Sequence, residues 1–279
     1  MAPRIVRDVA NGMAAMRARL FVPPGHFYSP ISSQDDRRRA MLLTDTATPG
    51  VDLREEHQRS YATALAPMWA DLPRLRWRPG GQYGLADAAV WHAVLRQERP
   101  GRIIEVGSGF STAVALDTAQ EYGTTTDITC VEPYPARLRS LLRPDDHVRL
   151  LEMPVQEVPL EELTSLDAGD VLFIDSTHVV KVGSDVIWLF LHVLPRLPPG
   201  VLVHVHDIHW PFEYPERWMR QGRDWTESYL VHAFMAHNAT WQIVLWGSWL
   251  WKHDTALVAA HLPSALGKNP GCLWLRRVA

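Results

Sequence analysis

From about Leu85 onward the chain alternates between short, apolar, β-branched runs and stretches with helical spacing, and few folds accept that rhythm. The runs read "RIIEV", "DITCVE", "VRLLEM", "DVLFID", "VLVHVH", "WQIVLWGSW" and "GCLWLRRV". Around and between them fall "ADAAVWHAVLRQE", a helix from Ser111 to about Tyr122, "PARLRSLL", a short helix near "PLEEL" and a segment that Ser184 can cap. A capping-box pattern at Asp224 and Glu227 opens "WTESYLVHAFMAHN". Parallel strands need crossovers, and right-handed helical crossovers cover both faces of a sheet. The expectation is an α/β chain with a Rossmann-like, doubly wound, mostly parallel seven-stranded sheet. Such sheets collect ligands at the C-terminal ends of their strands.

Residues 1–80 do not share the rhythm. They hold "FVPPGHFYSP", the charge run Asp35 to Arg39, and a helix from about Leu53 to Trp69 that Pro67 should end or kink. The sequence therefore divides into an N-terminal extension over 1–80, which either covers the active site or packs on the sheet, and a domain over 81–279. Within that domain an aromatic-rich insertion at about 208–226, with His209, Trp210, Phe212, Tyr214 and Trp218, is too long for a plain connection. It reads either as a lid at the ligand edge or as the interface of a homo-oligomer.

Bulk composition excludes some partners. With 28 basic and 31 acidic residues the formal charge is -3, and nothing in it recommends a nucleic acid or an anionic membrane. Cys130 and Cys272 sit in apolar runs and read as buried thiols of a reducing compartment. The opening "MAPRIVRDVANGMAAMRARLF" lacks the apolar stretch of a signal peptide, and no later segment is long enough to span a membrane. A cytoplasmic protein is expected.

The strand ends carry the chemistry. In order they offer Glu105 with Gly107, Ser108 and Gly109, then Glu132, then Gln156, then Asp175 with His178, then His206 with Asp207. Gly107 and Gly109 allow a sharp turn that a ligand can approach closely, although the third glycine of the dinucleotide fingerprint is absent. Glu132 ends the second strand, where an acid can accept hydrogen bonds from both ribose hydroxyls. Taken alone, it would fit NAD. Glu105 argues against that cofactor, because it stands where a pyrophosphate would approach the helix N-terminus and two anions there would repel. A nucleoside bearing a positive charge is preferred, and S-adenosylmethionine, with a sulfonium, an ammonium and no phosphate, is one. His204, two residues inside its strand end, reads as a satisfied core histidine.

On "IIEVGSGFST", "CVEPYP", "VLFIDSTHVVKVGSDV" and "PRLPPGVLVHVHDI", the chain over roughly residues 82–278 resembles the class I S-adenosylmethionine-dependent methyltransferases. The D-x-x-H at Asp175 to His178, with Asp207 ending the next strand, is similar to the macrocin-type and catechol-type O-methyltransferase branch. The resemblance implies cofactor binding by Glu105, Gly107, Ser108, Gly109, Glu132, Gln156 and Asp175, with the adenine near Val155 and Gln156. It also implies methyl transfer to an oxygen of a small polar, natural-product or sugar acceptor, with His178 and Asp175 as catalytic residues. Members of that branch commonly hold a divalent cation. Here His206 precedes Asp207, so a set of Asp175, His206 and Asp207 would suit Mn, Fe or Zn at least as well as Mg. A neutral imidazole at His178 would have a suitable pKa for a general base.

Three rivals remain at this stage. An NAD-dependent oxidoreductase is opposed by Glu105 and the missing glycine. A binding module that keeps the nucleoside pocket for assembly would use the aromatic-rich C-terminal third as its interface. A metal-dependent hydroxylase-like enzyme on the same fold would hold iron through the D-x-x-H pattern and His206.

Overall fold

The computed structural model describes residues 21–42, 47–79 and 82–279. Residues 1–20, most of the stretch read above as lacking a signal peptide, lie outside the described residues. Seven strands form one sheet: β1 (Arg102–Val106), β2 (Asp127–Val131), β3 (Val148–Leu151), β4 (Val171–Ile174), β5 (Leu202–Val205), β6 (Trp241–Trp246) and β7 (Leu273–Arg277). Their order is β3-β2-β1-β4-β5-β7-β6. The first five are parallel, and β7 enters antiparallel between β5 and β6. The expected Rossmann-like sheet is what the chain forms.

Order reverses between β1 and β4, which run side by side in register from Ile103 opposite Val171 to Val106 opposite Ile174. Both strands are buried without alternation, β4 wholly apolar and β1 apolar but for Arg102 and Glu105, because helices cover both of their faces. On one face, Trp91 of the helix Leu85–Glu98 packs against Phe173 and Trp274, with ring centroids 5.1 and 5.2 Å apart. His204 is stacked on Phe173 at 3.9 Å in the same layer. At the crevice opened by that reversal, the ladder continues past the strand ends: Gly107 N donates to Val131 O, Asp175 N to Val106 O and His206 N to Ile174 O. The first polar residue after each strand is thereby fixed to its neighbour.

The described residues divide into two compact units, one within 47–213 with 225–279 and one of 21–42 with 214–224. The sequence boundary at 80 is thus displaced. Leu65, Trp69 and Trp77 are fully buried, and their apolar area draws 47–79 into the larger unit. Within that stretch the expected helix runs Glu55–Leu65 and tightens into a 3₁₀ turn, Ala66–Asp71, at Pro67. In the smaller unit the charge run lies on the helix Gln34–Leu42, and Arg37 pairs with Asp224 at 3.3 Å. That contact removes Asp224 from the expected capping box. The helix Glu227–Met235 begins after Thr226 with no side-chain cap. The insertion divides as well: Phe212 is buried in the larger unit, stacked 4.5 Å from His232, whereas 214–224 belong to the smaller one. Among the described residues no helix is long and apolar enough to cross a membrane.

Candidate active site

The glycine turn joins β1 to the helix Phe110–Tyr122, and Gly107 (φ 82°) is required there by packing. A Cβ on it would lie 1.8 Å from the carbonyl oxygen of Asp175. The sequence argument assigned that space to a ligand; the neighbouring strand end occupies it first. Glu132 Oε2 accepts from Ser108 N at 3.2 Å, and Oε1 accepts from Tyr134 N at 2.8 Å, so the acid at the end of β2 also shapes the turn. Gln156 lies in a 3₁₀ turn after β3 and donates to Gly183 O at 2.8 Å.

Glu105 sits beneath the turn. Its side chain is buried, accepting from Ser111 Oγ on one oxygen and from Thr112 Oγ1 at 2.6 Å on the other. Burial pushes its carboxyl up to about 7, against the pull of those two hydroxyls. The charge that the sequence argument set against a pyrophosphate is therefore only half developed at neutral pH, and it lies behind the first turn of a helix.

A second group forms where β4 and β5 end. His178 (φ 61°) and Asp207 (φ 57°) are both held in the left-handed region, which costs about 1–3 kcal/mol each for residues with a Cβ. What over-determines them is visible. The His178 carbonyl accepts from the N–H groups of Thr226 and Glu227 at 3.0 and 3.2 Å, and Ile208 N donates to Gly271 O at 2.9 Å. Gly271 lies so close to Asp207 that a Cβ would meet its backbone nitrogen at 2.9 Å. The ring of His178 donates through Nδ1 to Glu227 Oε2 at 2.9 Å, and its Nε2 lies 3.4 Å from Asp175 Oδ1 and 3.7 Å from Asp207 Oδ2.

Burial alone would strip the proton from His178, but Asp175 and Glu227 outweigh it and raise its pKa well above the ordinary histidine value. That upward shift favours the protonated ring, a donor among carboxylates, over the neutral base expected from the sequence. Burial disfavours the charge of Asp175 too, yet His206 and His178 hold its carboxyl at about 2. His206 is also buried, and Asp175, Asp207 and Asp87 raise its pKa. Its Nδ1 faces His204 Nε2 at 3.2 Å, which gives the core histidine a partner on one nitrogen.

Asp175, His206 and Asp207, the expected cation ligands, do meet at one edge. They do not form a cation site: among the described residues no group of three or more His, Cys, Asp or Glu side chains is arranged to hold a metal ion. His178 stands between Asp175 and Asp207, in contact range of both carboxylates that a cation was expected to bridge. The donor set as arranged does not fit a divalent metal.

Four residues of this neighbourhood escaped sequence reasoning. Asp87, in the first turn of the helix Leu85–Glu98, is buried, accepts from Gly271 N at 2.9 Å, and is pushed up to about 6 by burial. Glu227 was assigned to a cap, Gly271 lies just before β7, and Tyr83 packs its ring 5.2 Å from that of His206. Asp87 had one usable signal, an acid at a position flanked by Ala86, Ala88 and Ala89 on a helix with no polar face. Three side-chain atoms around the crevice, Ser108 Oγ, Ser176 Oγ and Tyr83 Oη, are buried without a hydrogen-bond partner. A buried hydroxyl left so is a place for a polar ligand atom.

Fold and strand ends together define a Rossmann-like α/β domain of the methyltransferase type. A family profile described as "Methyltransferase domain" matches residues 104–208, the span from β1 to just beyond β5. An uncharacterized protein of Archaeoglobus fulgidus is 31% identical over 162 residues, covering 52% of this chain and 73% of that protein. Among solved structures, the SAH-bound Podospora anserina methyltransferase PaMTH1 is 16% identical, with 93% of this chain and 99% of that one covered and a TM-score of 0.46. CmcI in an Mg-SAM form is 17% identical, covers 70% of this chain and 72% of its own, and has a TM-score of 0.39. Over the core of the sheet, the fold and the family profile agree on a methyltransferase domain.

Proposed function

We propose that this methyltransferase moves the methyl group of S-adenosylmethionine to an oxygen of a small polar acceptor of natural-product or sugar type. The observation that carries the reading is the acid of β2, Glu132, hydrogen-bonded to the backbone of the glycine turn of β1. That pairing supports reading Glu132 as the acid for a ribose, beside a turn whose Ser108 hydroxyl is buried and unpartnered among the described residues. In this reading Glu132 takes the ribose hydroxyls, Gln156 and Val155 flank the adenine, and Gly107, Ser108 and Gly109 face the arm. Asp175 supplies the negative potential that favours a sulfonium.

Methyl transfer is a displacement along the line from acceptor oxygen through methyl to sulfur, and alignment supplies most of its rate. Asp175, ionised throughout the physiological range, is suited to accept the acceptor's O–H. His178, clamped by Glu227 on its other nitrogen, keeps Asp175 oriented and charged. Oxygen is favoured as the target because the ends of β4 and β5 offer carboxylate acceptors to a hydroxyl.

Calorimetric titration with S-adenosylmethionine and NAD, followed by S-adenosylhomocysteine release over a panel of hydroxylated acceptors, tests the proposal. Binding of the sulfonium nucleoside and product from a hydroxylated compound are expected. Tight NAD binding, or product only from amines, would overturn the cofactor or the acceptor half respectively.

A further inference from the structure

Tyr83 combines three properties that a purely structural tyrosine does not share. Its side chain is 3% exposed, and among the described residues its hydroxyl has no hydrogen-bond partner. Both parts that would fix that hydroxyl in space are themselves fixed. Trp77 Nε1 donates to the Tyr83 carbonyl at 3.2 Å, holding the backbone, and the ring rests on His206 with an interplanar angle of 30°. A buried hydroxyl with nothing to bond carries an uncompensated desolvation cost, which the fold could avoid with phenylalanine.

The sheet order says which part of the ligand such a group would meet. Neighbouring strands are spaced at about 4.8 Å, so the row β3, β2, β1, β4, β5 acts as a ruler across the crevice. In the proposed cofactor reading the base lies near Gln156 after β3, the ribose at Glu132 of β2, and the glycine turn of β1 follows. Tyr83 lies toward the far end of that row: its ring packs against His206 after β5, and Asp87 of the adjoining helix, Asp175 after β4 and Glu105 of β1 weigh on it electrostatically. The adenosine is accommodated before the ruler reaches Tyr83, and the aminocarboxypropyl arm with its ammonium and carboxylate is what extends beyond it.

We propose that the Tyr83 hydroxyl is a binding contact for the aminocarboxypropyl arm of S-adenosylmethionine. The inference rests on the cofactor reading above. Tyr83 acts as a positioning residue: by holding the arm it fixes where the sulfur points.

Removing the hydroxyl from the protein and the arm from the ligand together isolates the contact. S-adenosylhomocysteine carries the arm, and 5′-methylthioadenosine lacks it. Wild type and Tyr83→Phe are titrated with both, and the ligand-free unfolding midpoint of each is recorded. The variant is expected to bind S-adenosylhomocysteine about five- to thirtyfold more weakly. Its affinity for 5′-methylthioadenosine should change less than about twofold, within the scatter of uncoupled sites. Its ligand-free midpoint should be unchanged or raised, since an unsatisfied hydroxyl has been removed. Equal losses for the two ligands, or none for either, would overturn the contact while leaving the cofactor reading intact. A lowered midpoint with unchanged affinity would make Tyr83 structural. Failure of the wild type to bind either ligand would remove the cofactor reading and this inference with it.

Discussion

The crevice has two halves built in different ways. On the β1–β2 side the groups are backbone and near neighbours: a glycine turn, and an acid whose two oxygens accept from N–H groups, one of them two residues away. On the β4–β5 side they are side chains gathered from distant parts of the chain, with His178 and Glu227 separated by 49 residues and Asp87 and Gly271 by 184. The first half carries little concentrated charge. The second packs His178 and His206 among Asp87, Asp175, Asp207 and Glu227. A ligand common to a whole family suits the first kind of construction, and a chain-specific acceptor suits the second.

Gly107 lies at the seam, so its substitution should be the most damaging. Gly107→Val drives a branched side chain onto the Asp175 carbonyl from a backbone at φ 82°. A loss above about 4 kcal/mol is expected, visible as insoluble protein or a collapsed urea midpoint. A folded Gly107→Val protein lacking only cofactor affinity would restore the ligand as the reason for the glycine and break the packing account.

Glu227→Gln touches the side-chain half alone. It removes a charged hydrogen bond to a buried imidazole, and about 1.5–3 kcal/mol of stability should go with it. Turnover should fall while the dissociation constant for S-adenosylmethionine stays within about twofold, the additivity expected of separated sites. Equal damage to cofactor binding would mean that the halves are coupled.

The smallest effect concerns Glu105. Its pKa is about 7 in the folded chain against 4.5 ordinarily, so the folded state binds more protons than the unfolded one between those values. Stability contributed by the protonated carboxyl is therefore full below about 4.5, falls as pH rises toward 7, and is gone above it. Glu105→Gln should flatten the decline in unfolding midpoint over that window and be nearly neutral, or mildly stabilising, at pH 8. An unchanged pH profile in the variant would show that the carboxylate is not held back by burial.

How much was legible in the sequence follows the same division. Glu105, Gly107, Glu132, Asp175, His178, His206 and Asp207 all lie within a few residues of a strand end, and periodicity locates strand ends. Tyr83, Asp87, Glu227 and Gly271 matter through partners that the fold brings from elsewhere, and of the four only Asp87, an acid among alanines, carries a local mark. Glu227 illustrates the trap: three residues after Asp224 it matched a cap, yet tertiary contact gave one acid to His178 and the other to Arg37. The upward shift of His178 was also out of reach, because it depends on the carboxylates of Asp175 and Glu227, which the fold brings together. The domain boundary moved from 80 to Ala47 for a similar reason, since burial of Trp69 and Trp77 is a property of the assembled core.

The account stands on Glu132 as the ribose acid of a sulfonium nucleoside. Isothermal titration of S-adenosylmethionine into wild type and Glu132→Ala, with the fold of each checked by its unfolding midpoint, addresses that directly. Loss of charged hydrogen bonds to the ribose should weaken binding by about 1.5–3 kcal/mol, roughly ten- to 150-fold in the dissociation constant. An unchanged dissociation constant in a well-folded Glu132→Ala protein would contradict the assignment and move the nucleoside away from the end of β2.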